Sequence, residues 1–421
     1  MPRGAGRGNL CAPARVAQLD RASVFGTDGW GFESLRARLL EPAARDCILA
    51  VERAIMSSGA ATPDRDLAKA VERLSDLYTT GRGALAREQA DAAHLQAKRE
   101  YFLASDAPKV ALALDECAAR GDAFARIASL ETVRVVDLGA GVGATSVGFL
   151  AWLAGARAAR GIMAPVRVEL HAIELGEPAA RVLEANAKAT AAAIGATLAL
   201  KIEARDFRRF TPPACDLILC QTAINELLVG VDHERDTVQM VSAWSRAAPL
   251  LLIEPALKTT TRALMSLRDA LLALGGAHVV APCPHQRPCP MRAREGDWCH
   301  EARRIEPTPR VAAIDRLVGR RDERALFAFL ATAPGEAPVP PPPGVVRLVT
   351  DTLGSRGKTE RVVCRSDGEL RLMRLLDREV RDGNRAFLDA ERGSVLEIEP
   401  LPSNDRISPE ISSKISTPRA R

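Results

Sequence analysis

The segment VVDLGAGVGA, residues 135–144, decides the fold of this 421-residue chain. Asp137 lies within its hydrophobic strand residues, and three glycines follow at alternate positions: Gly139, Gly141 and Gly143. Glycines at such positions let the backbone approach a ligand closely, and the amino terminus of a following helix favours anionic groups. The segment is therefore typical of the first strand–loop–helix unit of a nucleotide-binding α/β fold. The same glycines can also form a tight turn without a ligand.

Strand-like and helix-like segments alternate after this loop, which indicates a parallel sheet wound with helices. Strands are predicted at residues 133–138, 166–173, 197–202, 215–220, 250–254 and 277–281, with a late edge strand at 325–331. The predicted fold class is α/β with a Rossmann-like core.

Three acids favour one ligand for this loop over another. Asp137 lies two residues before the first glycine, where class I methyltransferases carry an acid near the ammonium group of S-adenosylmethionine. Glu174 ends the second strand, where it can accept both ribose hydroxyls, and Asp206 follows the third, where such folds contact the adenine amine. The glycines also satisfy the dinucleotide motif, but the acids favour S-adenosylmethionine and a class I methyltransferase core.

The end of the fourth strand does not identify a methyl acceptor. Asn225 and Glu226 follow that strand without the Asn/Asp-Pro-Pro-aromatic signature of amino-group methylation, and no Pro-Cys nucleophile is found there. Catalytic residues are therefore not assigned.

A second feature is the segment APCPHQRPCPMRAREGDWCH, residues 281–300, whose prolines and aperiodic pattern suit neither a helix nor a strand. It contains Cys283, Cys289 and Cys299, and Cys364 follows beyond a Pro-rich stretch. Clustered thiols of this kind indicate a metal site.

Two kinds of metal site remain open on spacing alone. Zinc takes thiolate or thiolate–imidazole ligands, for which His285 and His300 lie near, but the short Cys-x2–4-Cys knuckle is missing. An iron–sulfur cluster takes four thiolates and tolerates irregular spacing.

Composition and periodicity divide the chain into six parts. Residues 16–38 resemble the conceptual translation of a transfer-RNA gene, so residues 1–55 are predicted to be a mistranslated or disordered leader, with Met56 as the start. The other parts are a helical N-terminal domain (56–121), the core with its cysteine-rich insertion at 281–300 (122–332), a Pro-rich linker (333–344), a small β module (345–401) and a disordered tail (402–421). A cysteine metal site is expected to join the core to the β module.

The charged residues are mostly arginine, at 50 of 58 basic residues, with a net charge of +5. Guanidinium groups pair bidentately with phosphate, so the doublets Arg303–Arg304 and Arg320–Arg321 are compatible with an RNA partner. GC-rich codon usage is an alternative explanation for the excess of arginine over lysine. No run of about 18 uncharged apolar residues predicts a membrane span, and nine cysteines without a secretory signal favour a reducing compartment.

Five segments in this order resemble the methyltransferase-like proteins of the small ribosomal subunit: DLGAGVGA, DLILCQTAINEL, LLLIEPA, APCPHQRPCPM…GDWCH and RRDERALFAFL. The family includes mitochondrial small-subunit assembly factors and bacterial homologues, and the pattern covers roughly residues 60–400. The Cys-Pro-His…Cys-Pro…Gly-Asp-Trp-Cys-His string is its most specific part. The resemblance implies a [4Fe–4S] cluster on Cys283, Cys289, Cys299 and Cys364.

The resemblance also implies association with the maturing small ribosomal subunit near its rRNA. The expected compartment is the bacterial cytoplasm, with no membrane partner and a monomer off the ribosome. Two functions stay open: an assembly factor that binds S-adenosylmethionine, and an active rRNA methyltransferase with a structural zinc. A redox sensor of translation is a third. After DWCH the chain continues with EARRIEPTPR, where the family has aromatic and basic residues, which limits the transfer of any RNA contact made there.

Overall fold

The computed structural model describes residues 42–57, 61–79, 92–228, 231–320 and 324–416. Within these ranges, the N-terminal region contains four helices: α1 (Pro42–Ser57), α2 (Asp64–Thr79), α3 (Ala92–Ala97) and α4 (Leu103–Arg120), with a π-helical turn at Lys98–Phe102 between the last two. Leu67, Val71 and Leu74 of α2 are buried, as their helical spacing predicts.

The folded part of this region begins before the predicted boundary at residue 55. Helix α1 buries five residues against α2, α4 and the core: Ala44, Cys47, Ile48, Val51 and Ile55. They recur every three or four positions, which is the spacing of one helix face. Aperiodic residues before them hid that signal, so the predicted disorder of the leader was wrong for Pro42–Ile55, and the position of the start stays a prediction. Residues 1–41 of the predicted leader lie outside the described residues.

Helix α4 passes through Pro108, although the sequence predicts a helix that begins after it. A proline inside a helix removes a hydrogen bond, at a cost of about 3 kcal/mol. Ala104, Ala107 and Ala111 are buried on both sides of Pro108, so the packed face of the helix continues past the interruption.

The central sheet has the strand order β3-β2-β1-β4-β5-β8-β6, and β7 pairs with β8. Its strands are β1 (Thr132–Leu138), β2 (Arg167–Ile173), β3 (Thr197–Glu203), β4 (Leu217–Gln221), β5 (Leu250–Pro255), β6 (Ala277–Ala281), β7 (Glu301–Arg304) and β8 (Arg324–Pro334). Strands β1 to β5 pair in parallel. Because the order reverses at β1, the carboxyl ends of β1 and β4 form the switch point where such sheets bind ligands.

Strand β8 lies inside the sheet, where the sequence predicts an edge strand. It is antiparallel to both β5 and β6, and residues 327–333 along it are buried. Strands buried on both faces have continuous apolar runs, and ALFAFLA is such a run.

Helices cover both faces of this sheet. They are α5 (Asp122–Ala125), α6 (Ala144–Ala159), α7 (Glu177–Ala193), α8 (Val231–Ala247) and α9 (Lys258–Leu274), whereas α10 (Pro309–Leu317) packs with α2 of the N-terminal region. Phe149 and Leu153 of α6 pack with α4 on one face, and Trp244 of α8 packs with Leu267 of α9 on the other. Among the described helices, none has the length and apolar character needed to cross a bilayer.

A second sheet forms the C-terminal module, with the order β14-β12-β11-β9-β13-β15 and β10 beside β11. Its elements are β9 (Val345–Leu348), β10 (Leu353–Ser355), β11 (Lys358–Arg365), β12 (Leu370–Leu376), α11 (Ala386–Asp389), β13 (Val395–Glu399), β14 (Arg406–Ile407) and β15 (Ser412–Ile415). The predicted disordered tail was wrong up to residue 416, because Ile407 and Ile411 are buried in the module.

Candidate functional site

Three glycines form the loop between β1 and α6, and all have left-handed backbone conformations: Gly139, Gly141 and Gly143. A Cβ at Gly139 would lie 2.8 Å from the Cβ of Ala223, so this position excludes any larger residue. A Cβ at Gly141 would meet nothing within 4 Å. The open space beside Gly141 lies at the switch point of the sheet, where a ligand can approach the backbone.

Glu174, at the end of β2, is joined to the same loop. One carboxylate oxygen accepts the Gly141 N–H at 2.8 Å, and the other accepts the Gly176 N–H at 2.7 Å. The structure therefore brings Glu174 and the glycine loop together. Its proposed contact with ribose hydroxyls stays a prediction.

Asp137 lies fully buried below the loop. Its Oδ2 accepts a hydrogen bond from Ser146 Oγ at 2.6 Å, and its Oδ1 has no hydrogen-bond partner within the described residues. Burial raises the pKa of Asp137 to about 7. A carboxyl group in this environment is costly to ionise, and its predicted contact with a ligand ammonium stays a prediction.

We expect Asp137→Asn to stabilise the protein at pH 8. The raised pKa means that the folded state favours the protonated form of Asp137. The contribution of this protonated acid to stability is fully present below pH 4 and is lost as the pH rises through about 7, whereas the asparagine of the variant stays neutral throughout. At about 1.36 kcal/mol per pKa unit, the gain at pH 8 should reach a few kcal/mol and should vanish near pH 4. Chemical denaturation of both proteins across this pH range measures it, and a less stable variant at pH 8 would contradict it.

Asp206 follows β3 as predicted, but its partner is Arg208. Both Asp206 oxygens accept from Arg208 Nε, at 2.9 and 2.8 Å. The side-chain hydrogen bond to Arg208 lowers the pKa of Asp206. The neighbouring Phe207 ring, 3.5 Å from a Cβ built at Gly139, borders the loop more closely.

A buried carboxylate beside the switch point was missed by sequence reasoning. Glu254, in β5, accepts the backbone N–H of Asn225 at 3.1 Å and also its side-chain amide. Both residues are buried, whereas Glu226 is exposed. The sequence signal for this carboxylate was the Glu in LLLIEPA. It lies near the carboxyl end of a parallel strand, and the carboxyl ends of parallel strands lie at one edge of the sheet, where ligands bind.

The four predicted cysteine ligands line one cavity of about 40 Å³. Cys283, Cys289 and Cys299 come from the loop between β6 and β7, and Cys364 comes from β11 of the C-terminal module. The Sγ atom of Cys364 lies 3.4 Å from Nε2 of His285. Most of the exposed lining is apolar.

Within the described residues, no group of three or more His, Cys, Asp or Glu residues could hold a metal ion. Burial, and then the charge of Cys283, raise the pKa of Cys289 to about 11 and that of Cys299 to about 12. Metals bind the thiolate form, so loading of these thiols would release protons.

Helix α9 fixes the cysteine loop through charged side chains. Arg262 donates to the carbonyls of Arg294 and Asp297, each at 2.8 Å. Arg268 donates to Cys283 Sγ at 3.1 Å, and Asp269 accepts the backbone N–H of Cys289 at 3.0 Å. Sequence reasoning missed these residues, because polar and charged residues recur throughout this helix and do not single out Arg262 or Arg268.

A buried ionic network joins α4, the cysteine loop and the C-terminal module. Glu116 of α4 pairs with Arg347 of β9, with Arg303 of β7 at 2.7 Å and with Arg120 at 3.2 Å. Arg120 also donates to the carbonyl of Cys283 at 3.0 Å. The network therefore ties the module to the core beside the cavity.

The arginine doublets are exposed only in part: Arg304 and Arg320 are exposed, whereas Arg303 is buried. Arg303 is buried in the ionic network, and Arg304 pairs with Glu391 at 3.2 Å. Arg320 donates to Tyr101 and to Ser75. Arg321 lies outside the described residues.

The sheet order and the glycine loop define a Rossmann-like α/β protein with a parallel sheet that reverses at β1. A family model described as mitochondrial small ribosomal subunit Rsm22 matches residues 107–393. The chain belongs to this family, which confirms the resemblance carried by the sequence segments.

Several solved structures are similar to parts of this chain, whereas no curated protein matches it. One is an S-adenosylmethionine-dependent methyltransferase from Methanosarcina mazei, with 12% identity, a TM-score of 0.29, and coverage of 49% of this chain and 93% of that one. A methyltransferase from Geobacter sulfurreducens, in complex with S-adenosyl-L-homocysteine, has 13% identity, a TM-score of 0.27, and coverage of 52% and 90%. An uncharacterized protein from Burkholderia thailandensis has 15% identity, a TM-score of 0.30, and coverage of 69% and 93%.

Proposed function

We propose that this protein is a methyltransferase-like factor of the small ribosomal subunit, acting in its assembly or in translation. In this proposal it binds S-adenosylmethionine at the glycine loop and a [4Fe–4S] cluster at the cysteine cavity. The observation that carries the proposal is the single family match over residues 107–393, which spans both sites. The protein works with the subunit and its rRNA as a monomer, in the bacterial cytoplasm.

The geometry of the glycine loop supports S-adenosylmethionine as its ligand. Gly141 leaves the backbone open at the switch point, and Glu174 is hydrogen-bonded to that residue. A ligand there has an acid beside it for its ribose hydroxyls, and Leu175, 71% exposed, offers an apolar surface for a base.

We expect Gly141→Ala to weaken S-adenosylmethionine binding without unfolding the protein. The added Cβ meets nothing in the protein within 4 Å, but it occupies the space through which a ligand approaches the backbone. Gly195→Ala is the matched control, because Gly195 also has open surroundings and a left-handed backbone. Its φ is 68°, and that of Gly141 is 53°. The strain of about 1–2 kcal/mol should lower the thermal stability of both variants similarly.

Calorimetry with S-adenosylmethionine measures the difference between these two variants. The Gly195→Ala protein should bind like the parent, whereas the Gly141→Ala protein should show at least about a tenfold weaker affinity, or 1.4 kcal/mol. Equal binding by all three proteins contradicts the assignment of the loop.

The cavity favours a cluster over a single zinc ion. Zinc binds four donor atoms at about 2.0–2.3 Å around one point. A [4Fe–4S] cluster is a larger object held by four thiolates, and four thiols line this cavity. Cys283, Cys289, Cys299 and Cys364 would hold it. When bound, such a cluster supplies a cross-link between segments and a one-electron redox centre.

The role of this chain's own residues is then mainly structural. Cys364 belongs to the C-terminal module and the other three cysteines to the core loop, so ligation would hold the module against the core. The ionic network at Glu116 and Arg347 acts at the same junction. The core and the module would then be held in one arrangement, and the surface that they form together would contact the ribosomal subunit.

An active rRNA methyltransferase is the second candidate function. The buried pair of Asn225 and Glu254 beside the glycine loop favours it, because polar groups at this edge could orient a methyl acceptor. Incubation of immature small subunits with the protein and labelled S-adenosylmethionine tests both functions, with co-sedimentation measured in parallel. Binding without transfer supports the assembly factor, transfer supports the enzyme, and failure to bind the subunit contradicts both.

A further inference from the structure

Arg268 is buried at the wall of the cysteine cavity, with 3% of its side chain exposed. Its Nε donates to Cys283 Sγ at 3.1 Å, and its terminal nitrogens donate to the carbonyls of His285 and Arg287, each at 2.8 Å. The guanidinium fork is thereby held in one orientation, with one edge on a sulfur atom.

The charge of Arg268 is only partly balanced by its neighbouring acid. Asp269 pairs with Arg268 at 2.6 Å, but it also pairs with Arg292 at 2.8 Å. Two guanidinium groups thus share one carboxylate, and burial of an uncompensated charge is costly. The sulfur of Cys283 is a second acceptor at hydrogen-bonding distance, and it would carry negative charge when it ligates a metal.

We propose that Arg268 is a positioning residue for the cysteine cavity, which orients the sulfur of Cys283 and offsets the negative charge of the ligating thiolates. This inference rests on the proposed cluster and adds a specific role to it. Hydrogen bonds to ligand sulfurs and nearby charge set the reduction potentials of such clusters. Because reduction adds negative charge, Arg268 favours the reduced form and raises the potential.

Arg262 provides a matched control on the same helix. It also anchors the cysteine loop, through the carbonyls of Arg294 and Asp297. Within the described part of the chain, it makes no hydrogen bond to sulfur. Loss of either arginine loosens the loop, but only loss of Arg268 removes a charge that contacts a ligand atom.

The experiment compares the full-length parent with Arg268→Gln and Arg262→Gln, all purified without oxygen. Iron and sulfide content is measured first, and the midpoint potential is then determined by titration with dithionite, which supplies the single electron. We expect Arg268→Gln to lower the ratio of reduced to oxidised cluster at a fixed potential at least tenfold. This corresponds to a midpoint potential lower by about 59 mV for a one-electron couple. Arg262→Gln should stay within about a third of that shift.

Each outcome decides a different point. Equal shifts in the two variants, or no shift in Arg268→Gln, overturn the role of Arg268 while the cluster itself stands. A parent protein without iron and sulfide overturns the proposed cluster instead. If Arg268→Gln assembles no cluster, the inference is tested with Arg268→Lys, which keeps the positive charge. Recovery of the iron content in Arg268→Lys supports the inference. An Arg268→Lys protein without iron, compared with an Arg262→Lys protein that contains it, overturns the inference.

Discussion

Cys364→Ser is expected to abolish the metal chromophore and to release the C-terminal module from the core. Cys364 is buried in β11, and it is the one ligand of the proposed four that the module supplies. A site that retains three thiolates from the core loop can no longer cross-link two domains. Because metal binding is coupled to folding, the effect should extend over residues 345–416 and reach several kcal/mol.

Iron and sulfide analysis, the absorbance spectrum and hydrogen exchange of the module measure this result. Cys215→Ser is the control, since Cys215 is a partly buried thiol just before β4 and outside the cavity. It should keep the full iron content and the parent's exchange pattern. A Cys364→Ser protein with a complete cluster would refute the four-cysteine site.

Glu116→Gln is expected to destabilise the junction between core and module by about 3–5 kcal/mol, which is the usual cost of breaking a buried ion pair. Burial alone would raise the pKa of Glu116, but Arg347, Arg303 and Arg120 outweigh it and hold that pKa well below its usual range. The neutral amide would leave Glu301 as the shared carboxylate of Arg347 and Arg303, and the buried network would carry an excess of positive charge. Glu184→Gln is the control, because its exposed pair with Lys188 should contribute less than about 1 kcal/mol.

The sign of the pH dependence follows from the lowered pKa of Glu116. Its contribution to stability is fully present above about pH 4.3, the value for an unperturbed Glu, and is lost as the pH falls through the lower folded value. The parent should therefore be less stable at pH 2 than at pH 5, and Glu116→Gln should lose less over the same interval. Denaturant midpoints at both pH values measure this. A parallel loss in the two proteins would remove Glu116 as the cause.

Partial recovery in a double variant would identify the reason for the loss. Arg347→Met in the Glu116→Gln background removes one of the excess buried positive charges, keeps an apolar side chain in its place and leaves Glu301 paired with Arg303. Replacement of a buried ion pair by apolar groups is often neutral, so we expect the double variant to be more stable than Glu116→Gln alone. Further destabilisation would contradict this explanation.

Local pattern was sufficient to predict most of the core. The glycine spacing identified the loop, since only glycine readily takes the left-handed conformations found at Gly139, Gly141 and Gly143. Runs of β-branched and aliphatic residues located the six core strands. The predicted edge position of β8 was wrong because a strand's place in a sheet depends on which strands pair with it. Helix α1 was missed because aperiodic residues before it hid its helical spacing, and the strands after residue 401 were missed because they are short and lie in a Ser- and Pro-containing segment.

The sequence by itself determined the family, the α/β class and the group of four cysteines, because each is encoded by residue type and short spacing. Only the tertiary structure decided which polar groups face one another across the chain. Glu116 and Arg347 are 231 positions apart, and Arg268 contacts a sulfur in a loop that no periodicity describes. Such pairs depend on how sheets and helices pack, and burial of a charge is acceptable only where that packing brings a partner.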